Sequence, residues 1–191
     1  MKRLGRTAGV VVPVTLAGVA LAGCGAQVGS GARADMNMQE AAERADAMLD
    51  ATLGAVVPEV QWAHDTTTSG SCTVTRRRAV TTVVSAQRRG SFLGVIERFW
   101  KKSGYEITGV NRSQDAPAIF ARTPEDFRLS VEVAYKGQAF FDVTTPCVEK
   151  SDVAEPASEP SGPAYPYGRI PTPHARSDFW SATAPAPAPS G

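Results

Sequence analysis

The sequence has few of the residues that build metal centres. Its 191 residues include only two histidines and three cysteines, with no Cys-x-x-Cys pair and no pair of neighbouring histidines. Protein zinc sites are built from such side chains at short spacings. No glycine-rich phosphate loop follows a strand pattern either. We therefore expect neither a metal nor a cofactor.

A catalytic constellation is also missing. His64 and Asp65 are adjacent, with Ser69 and Ser71 nearby, and these are the residue types of a Ser-His-Asp triad. Neighbours in sequence rarely point both side chains correctly, and no nucleophile-elbow motif is present. Since polar turn residues explain the same pattern, we predict that the protein is not an enzyme.

The chain has no large excess of either charge. Twenty basic and 19 acidic residues give a formal net charge of +1. Proteins that bind nucleic acids depend on basic side chains, because contacts to phosphate supply much of their affinity. We therefore expect no nucleic-acid partner.

Long apolar runs are absent as well, apart from one near the N-terminus over residues 8–22. This run is shorter than the roughly 20 residues of a transmembrane helix. Lys2, Arg3 and Arg6 precede it, and Leu21-Ala22-Gly23-Cys24 closes it. A basic segment, a short apolar segment and small residues before a cleavage point are the parts of a secretory signal.

With Cys24, this arrangement resembles the lipobox of bacterial lipoproteins. An arginine excess over lysine of 15 to 5, with frequent Ala, Gly and Pro, suggests an actinobacterial one. The resemblance implies that residues 1–23 are a signal peptide and that Cys24 carries diacylglycerol with acyl chains such as palmitate. The mature protein would be anchored in the cell membrane on its extracytoplasmic side. An ordinary secretory signal and an N-terminal anchor helix are the alternatives.

Two cysteines remain, Cys72 and Cys147. Two cysteines in an oxidising compartment usually pair. We predict a disulfide that closes a separation of 75 residues. Two buried free thiols are the alternative.

Composition divides the mature chain into three parts. Residues 24–34 are rich in glycine, which predicts a flexible linker. Residues 35–148 have the common size of a single domain. Residues 149–191 hold nine of the 14 prolines, which predicts a disordered tail. Four aromatic residues in that tail are unusual for such a segment, and short docking motifs are one interpretation: Tyr165, Tyr167, Phe179 and Trp180.

Hydrophobic periodicity predicts two helices and six strands in the domain. Asn37 followed by Glu40 is typical of a helix N-cap, and this helix ends near Gly54. The second helix covers about residues 91–103. The order helix, two strands, helix, four strands predicts an α+β fold. We expect a single antiparallel sheet with both helices packed on one face.

The last hairpin allows its register to be predicted. A two-residue loop would place Val131 opposite Asp142, which puts a charge on the apolar face. A three-residue loop with a left-handed Gly137 places Val131 opposite Phe141 instead. Burial of the apolar residues favours the longer loop.

The region from residue 76 to residue 122 is the most basic part of the chain, with ten basic and three acidic residues. On an anchored domain, such a face could contact anionic headgroups or an anionic wall polymer. The alternative is a solvated strand whose arginines prevent edge pairing. The candidate contact residues are Arg76, Arg77, Arg78, Arg88, Arg89, Lys101 and Lys102.

Two functional hypotheses follow. The first is a binding module that contacts a protein or an anionic wall polymer at the membrane through its sheet face and basic region. The alternative is a carrier or sensor of a small apolar ligand between sheet and helices. A cavity of a few hundred Å³ would favour the carrier, and a filled core would count against it. The residues that would hold the ligand are Trp62, Phe92, Phe99, Trp100 and Phe141.

Overall fold

The computed structural model describes residues 36–184. The predicted signal peptide, the lipidation site at Cys24 and the linker over 24–34 lie outside these residues. Two helices and seven strands are present in the described part. They are α1 (Met38–Gly54), β1 (Trp62–His64), β2 (Thr68–Ser69), β3 (Val74–Val80), α2 (Arg89–Lys102), β4 (Glu106–Asn111), β5 (Ala118–Arg122), β6 (Arg128–Val133) and β7 (Ala139–Thr144).

The strands form one antiparallel sheet in the order β1-β3-β7-β6-β5-β4, and β2 also pairs with β3. Helix α1 contacts β3 and β7, whereas α2 contacts β4 and β5. Both helices contribute to one hydrophobic core against the sheet. The predicted α+β architecture is confirmed. Among residues 36–184, neither helix is both long and apolar enough to cross a bilayer.

The local signals that predicted α1 and the last hairpin are also confirmed. Asn37 Oδ1 accepts from the Glu40 N–H at 3.0 Å, and Glu40 Oε2 accepts from the Asn37 N–H at 3.0 Å. In the hairpin, Val131 pairs with Phe141. Gly137 has a φ of +75°, and a Cβ there would lie 2.3 Å from the Val84 carbonyl oxygen. Glycine is therefore required both by the turn and by the close approach of Val84.

The predicted disulfide is present between Cys72 and Cys147. The two Cα atoms are 4.8 Å apart. Cys72 precedes β3 and Cys147 follows β7, and these strands are hydrogen-bonded neighbours. The bridge therefore joins adjacent positions at one end of the sheet.

The prediction of a disordered tail is wrong for residues 149–184. This segment has little regular structure, yet it lies against the domain and is fixed to it by hydrogen bonds. The Trp62 N–H donates to the Ser161 carbonyl at 3.0 Å, and the Ser85 N–H donates to the Trp180 carbonyl at 2.9 Å. Trp180 is 0 % exposed and belongs to the core. The folded domain therefore includes these residues, which we call the C-terminal strap (149–184).

The strap also pairs with the chain beyond the end of β3. The Thr81 N–H still donates to the Gln61 carbonyl next to β1 at 2.8 Å, and the strap supplies the further partners. The Val83 N–H donates to the Ala175 carbonyl at 3.0 Å, and the His174 N–H donates to the Thr81 carbonyl at 2.9 Å. Proline-rich sequence lacks some N–H donors, but its carbonyls and its other amides still satisfy groups that the sheet leaves free.

Candidate functional site

The two faces of the sheet differ completely. Successive side chains along a strand point to opposite faces of the sheet, so each face receives every second residue. One face is covered by the helices and the strap. The other, which we call the open face, has no helix on it in the described part of the chain. It carries Thr75, Arg77, Phe120, Arg122, Arg128, Ser130, Glu132, Phe140, Asp142 and Thr144.

A paired arginine and aspartate lie at the centre of the open face. Arg77 Nε donates to Asp142 Oδ1 at 2.6 Å, and Nη2 donates to Oδ2 at 3.2 Å. The hydrogen bond to Asp142 raises the pKa of Arg77. Asp65 adds a carboxylate 4.0 Å from Arg77 Nε. Two parallel hydrogen bonds hold the guanidinium and the carboxylate in one orientation. The donors and lone pairs that this pairing does not use remain available to a partner.

Three shallow depressions surround this pair, with volumes of about 210, 390 and 310 Å³. Asp142 lines all three, and Phe120 and Ser130 line two of them. Phe120 is 42 % exposed and adds an apolar side chain to this surface. The depressions therefore form one continuous surface of mixed chemistry around Asp142.

The charges of the open face are balanced. Arg77, Arg122 and Arg128 are matched by Glu132 and Asp142, together with Asp65 and Asp126 at its margins. Hydroxyl groups lie between these charges, on Thr75, Thr108, Ser130 and Thr144. Such a surface offers both donors and acceptors and has no strong preference for an anion.

The predicted basic contact surface is wrong for Arg76, Arg78 and Arg88, which are buried. In β3 the even-numbered positions face the helices, so Arg76 and Arg78 lie under α1 and not in solvent. Strand β3 also lies inside the sheet, between β1 and β7. Protection of an exposed edge therefore does not explain these arginines either.

Instead, Arg76 and Arg78 form an ion-pair network with α1. Arg76 Nε lies 3.1 Å from Asp46 Oδ2, and Arg78 Nη1 pairs with Asp50. Arg78 Nη2 also donates to Ser158 Oγ of the strap at 2.8 Å. The network joins the helix, the sheet and the strap.

Burial changes the titration of this network. Desolvation raises the pKa of Asp46, and the attraction of Arg76 and Arg78 only partly opposes this rise. Desolvation likewise lowers the pKa of Arg78, against its hydrogen bond to Asp50. A buried charge is costly unless it is paired and hydrogen-bonded. The removal of one charged side chain of this network therefore destabilises the charges that remain.

The four remaining basic candidates do not form a cluster. Arg77 lies on the open face, whereas Arg89 donates to the Gln114 carbonyl at 2.6 Å. Lys101 Nζ lies 2.6 Å from Glu97 Oε1, and Lys102 is exposed at the end of α2. The fold therefore disperses the basic region that is continuous in sequence.

Arg88 is a separate case. Its guanidinium lies 4.6 Å from the centre of the Phe179 ring, so an aromatic residue of the strap covers it. Its Nε and Nη1 atoms have no hydrogen-bond partner among residues 36–184. The contact attaches the strap to the start of α2.

The triad candidates do not come together. His64 faces the helices, where Nε2 lies 2.7 Å from the Ser158 carbonyl oxygen. Asp65 lines the open face instead. Within residues 36–184, no group of three or more His, Cys, Asp or Glu side chains is placed to hold a metal ion.

The space between sheet and helices is filled. Phe92 contacts Phe141 with a ring separation of 6.0 Å and Trp180 with a separation of 5.2 Å. Trp100 is buried and donates to Thr52 Oγ1 at 3.1 Å. Of the five residues predicted to hold an apolar ligand, Trp62 lines a groove of about 510 Å³ at the end of α1, whereas Phe92, Phe99, Trp100 and Phe141 line neither that groove nor the depressions of the open face. The filled core counts against an apolar-ligand carrier at this position.

Sequence reasoning named Arg77 as a contact residue but missed Asp142 and Phe120 beside it on the open face. The predicted hairpin register placed Asp142 on the other face of the sheet from the apolar side chains, but it did not indicate that Phe120 is exposed. The alternation within β6 also sends Arg128, Ser130 and Glu132 to one side. That pattern was the available signal.

No protein-family model matches the chain, and no curated protein is similar to it. Its function has to be argued from the residues themselves.

Proposed function

We propose that the protein is a lipid-anchored extracytoplasmic binding module that contacts a partner protein through its open face. One observation carries this proposal: within residues 36–184 no helix covers the open face, and Phe120 lies on it, 42 % exposed. Phe120 and the half-buried Phe140 place apolar surface beside the Arg77–Asp142 pair, and this mixture of side chains is typical of the centre of a protein interface.

The chemistry of the open face favours a protein over an anionic wall polymer. Arginine and aromatic residues are enriched at the energetic centres of protein interfaces, and Arg77, Phe120 and Phe140 supply both types. A polymer of phosphates would instead need an uncompensated basic surface. The pairing of Arg77 with Asp142 at 2.6 Å removes the central positive charge from such a role.

Two residues on different surfaces test the proposed contact. We expect Phe120→Asp to lower recovery of the chemically cross-linked partner from intact membranes by about tenfold or more, since it places a charge in the apolar part of the contact. Tyr135→Asp is the matched control, because Tyr135 is 79 % exposed in the β6–β7 turn and lies off the open face. Equal loss in both variants, or in neither, would contradict the proposal.

Salt separates the two kinds of partner. We expect the cross-linked yield to change little when the salt concentration is raised, because the positive and negative charges of the open face balance one another. A steep fall with salt would instead support an anionic polymer.

The anchor is tested at Cys24. Two acyl chains contribute about 0.8 kcal/mol per buried methylene, which is enough for stable anchoring. We expect mass spectrometry of the wild-type N-terminal peptide to show acyl chains on Cys24, and the Cys24→Ser variant to carry none. Wild-type protein that is cleaved but carries no lipid would contradict the proposed anchor.

A further inference from the structure

A groove of about 510 Å³ opens at the C-terminal end of α1, away from the open face. Its floor is apolar and consists of the buried residues Leu53, Val56, Val60 and Trp62. Val57 lies on its rim and is 73 % exposed. The volume lies within the range of about 300–1,000 Å³ that is typical of small-molecule sites.

The rim of the groove is acidic. Asp50, Glu59 and Glu159 line it, and no basic residue does. Below it, Arg78 pairs with Asp50, so the uncompensated charge comes from Glu59 and Glu159. Glu59 is oriented by Ser161, whose Oγ donates to Glu59 Oε1 at 2.7 Å.

The helix end adds to this negative potential. Helix α1 ends at Gly54 beside the groove, and its last turn contains no basic residue. The C-terminus of a helix carries a partial negative charge that favours a cation nearby. The rim carboxylates and the helix end therefore both favour a positively charged group, and the apolar floor favours a hydrocarbon chain attached to it.

We propose that this groove binds a small organic cation, namely a primary ammonium group on an aliphatic chain. The ammonium group lies between Glu59 and Glu159 at the rim, and the aliphatic chain covers the floor between Leu53 and Trp62. This site is independent of the open face, because none of its lining residues lines the depressions there. It shares only Trp62 with the apolar-ligand site predicted between sheet and helices, whose other four residues do not line the groove.

Hexylammonium is a suitable probe, with hexanol and hexanoate as neutral and anionic controls of the same chain length. The test uses the mature chain, residues 24–191, with Cys24→Ser, so that neither acyl chains nor detergent compete for the probe. NMR titration follows the Trp62 indole N–H and the Gly54 amide. We expect saturable binding of hexylammonium at least about tenfold tighter than that of hexanol, and no binding of hexanoate.

A charge-removing variant isolates the role of the rim. Glu59→Gln combined with Glu159→Gln should weaken hexylammonium binding about tenfold and leave hexanol binding unchanged. Glu125→Gln combined with Glu155→Gln is the matched control, since all four glutamates are exposed and the second pair lies outside the groove. The amide spectrum of each variant shows whether its fold is intact.

Three results would overturn the proposal. They are equal affinity for hexylammonium and hexanol, undiminished hexylammonium binding in the Glu59→Gln, Glu159→Gln variant, and absence of a saturable shift at Trp62. None of these results affects the proposed contact at the open face.

Discussion

Replacing Trp180 with alanine is expected to lower the free energy of unfolding by about 3–5 kcal/mol, the usual cost of truncating a large buried aromatic residue. Trp180 is 0 % exposed and packs edge-on against Phe92 and Phe179 at ring separations of 5.2 and 4.8 Å. Its indole Nε1 donates to the Pro58 carbonyl at 2.5 Å. The variant loses these contacts and leaves a cavity between α2 and the sheet.

Urea denaturation measures this loss, with Ile170→Ala as the control in the same strap. Ile170 is 38 % exposed and lies outside the hydrophobic core, so its truncation should cost no more than about 1 kcal/mol. If Trp180→Ala cost as little as Ile170→Ala, residues 149–184 would not be part of the folded domain.

The second large effect is expected at Arg78. Arg78→Met should cost about 3–5 kcal/mol at neutral pH, because removing one partner of a buried ion pair leaves the other charge uncompensated. The guanidinium is buried beside Asp46 and Asp50 and lies 4.2 Å from the centre of the Trp62 ring. Lys102→Met is the control, since the side chain of Lys102 is exposed.

The pH dependence of this cost follows from Asp46. Burial already raises the pKa of Asp46, and the loss of Arg78 removes one of the attractions that oppose the rise. A carboxyl group whose pKa is higher in the folded state binds protons on folding, so folding is favoured as the pH falls towards the ordinary value of about 4. The deficit of Arg78→Met relative to wild type should therefore shrink between pH 7 and pH 4. A deficit that is constant over this range would show that Asp46 does not carry the uncompensated charge.

The features that could be predicted from the sequence are those with local causes. The N-cap of α1 depends on Asn37 and Glu40, which are three residues apart. The β6–β7 register depends on a loop of three residues and on the burial of alternate side chains. In these cases, neighbouring residues contain all the necessary information.

The strap and the buried arginines have causes that are distant in sequence. Trp180 bonds to a carbonyl 122 residues away, and Arg78 pairs with Asp50 across 28 residues. The proline content of residues 149–191 predicted a disordered tail, because such a segment does not fold alone. It can still fold against the surface of another segment, and the aromatic residues of the tail indicated this.

The candidate site was predicted only in part. A sheet face was expected to make the contact. The basic residues, however, were grouped by their nearness in sequence and not by the face of the strand on which each side chain lies. In β3, Arg76 and Arg78 share their face with Val74 and Val80, and Arg77 is the one of the three arginines on the other face. The alternation of side chains therefore indicated which arginines are buried, whereas their acidic partners on α1 could be identified only from the fold.

Hydroxyl-radical footprinting of native membranes and of the purified mature chain measures whether the proposed partner covers the open face. We expect Phe120 to lose most of its reactivity in the membranes, whereas Tyr135, which is 79 % exposed off that face, should keep its reactivity. Equal reactivity of Phe120 in both preparations would contradict the proposed contact.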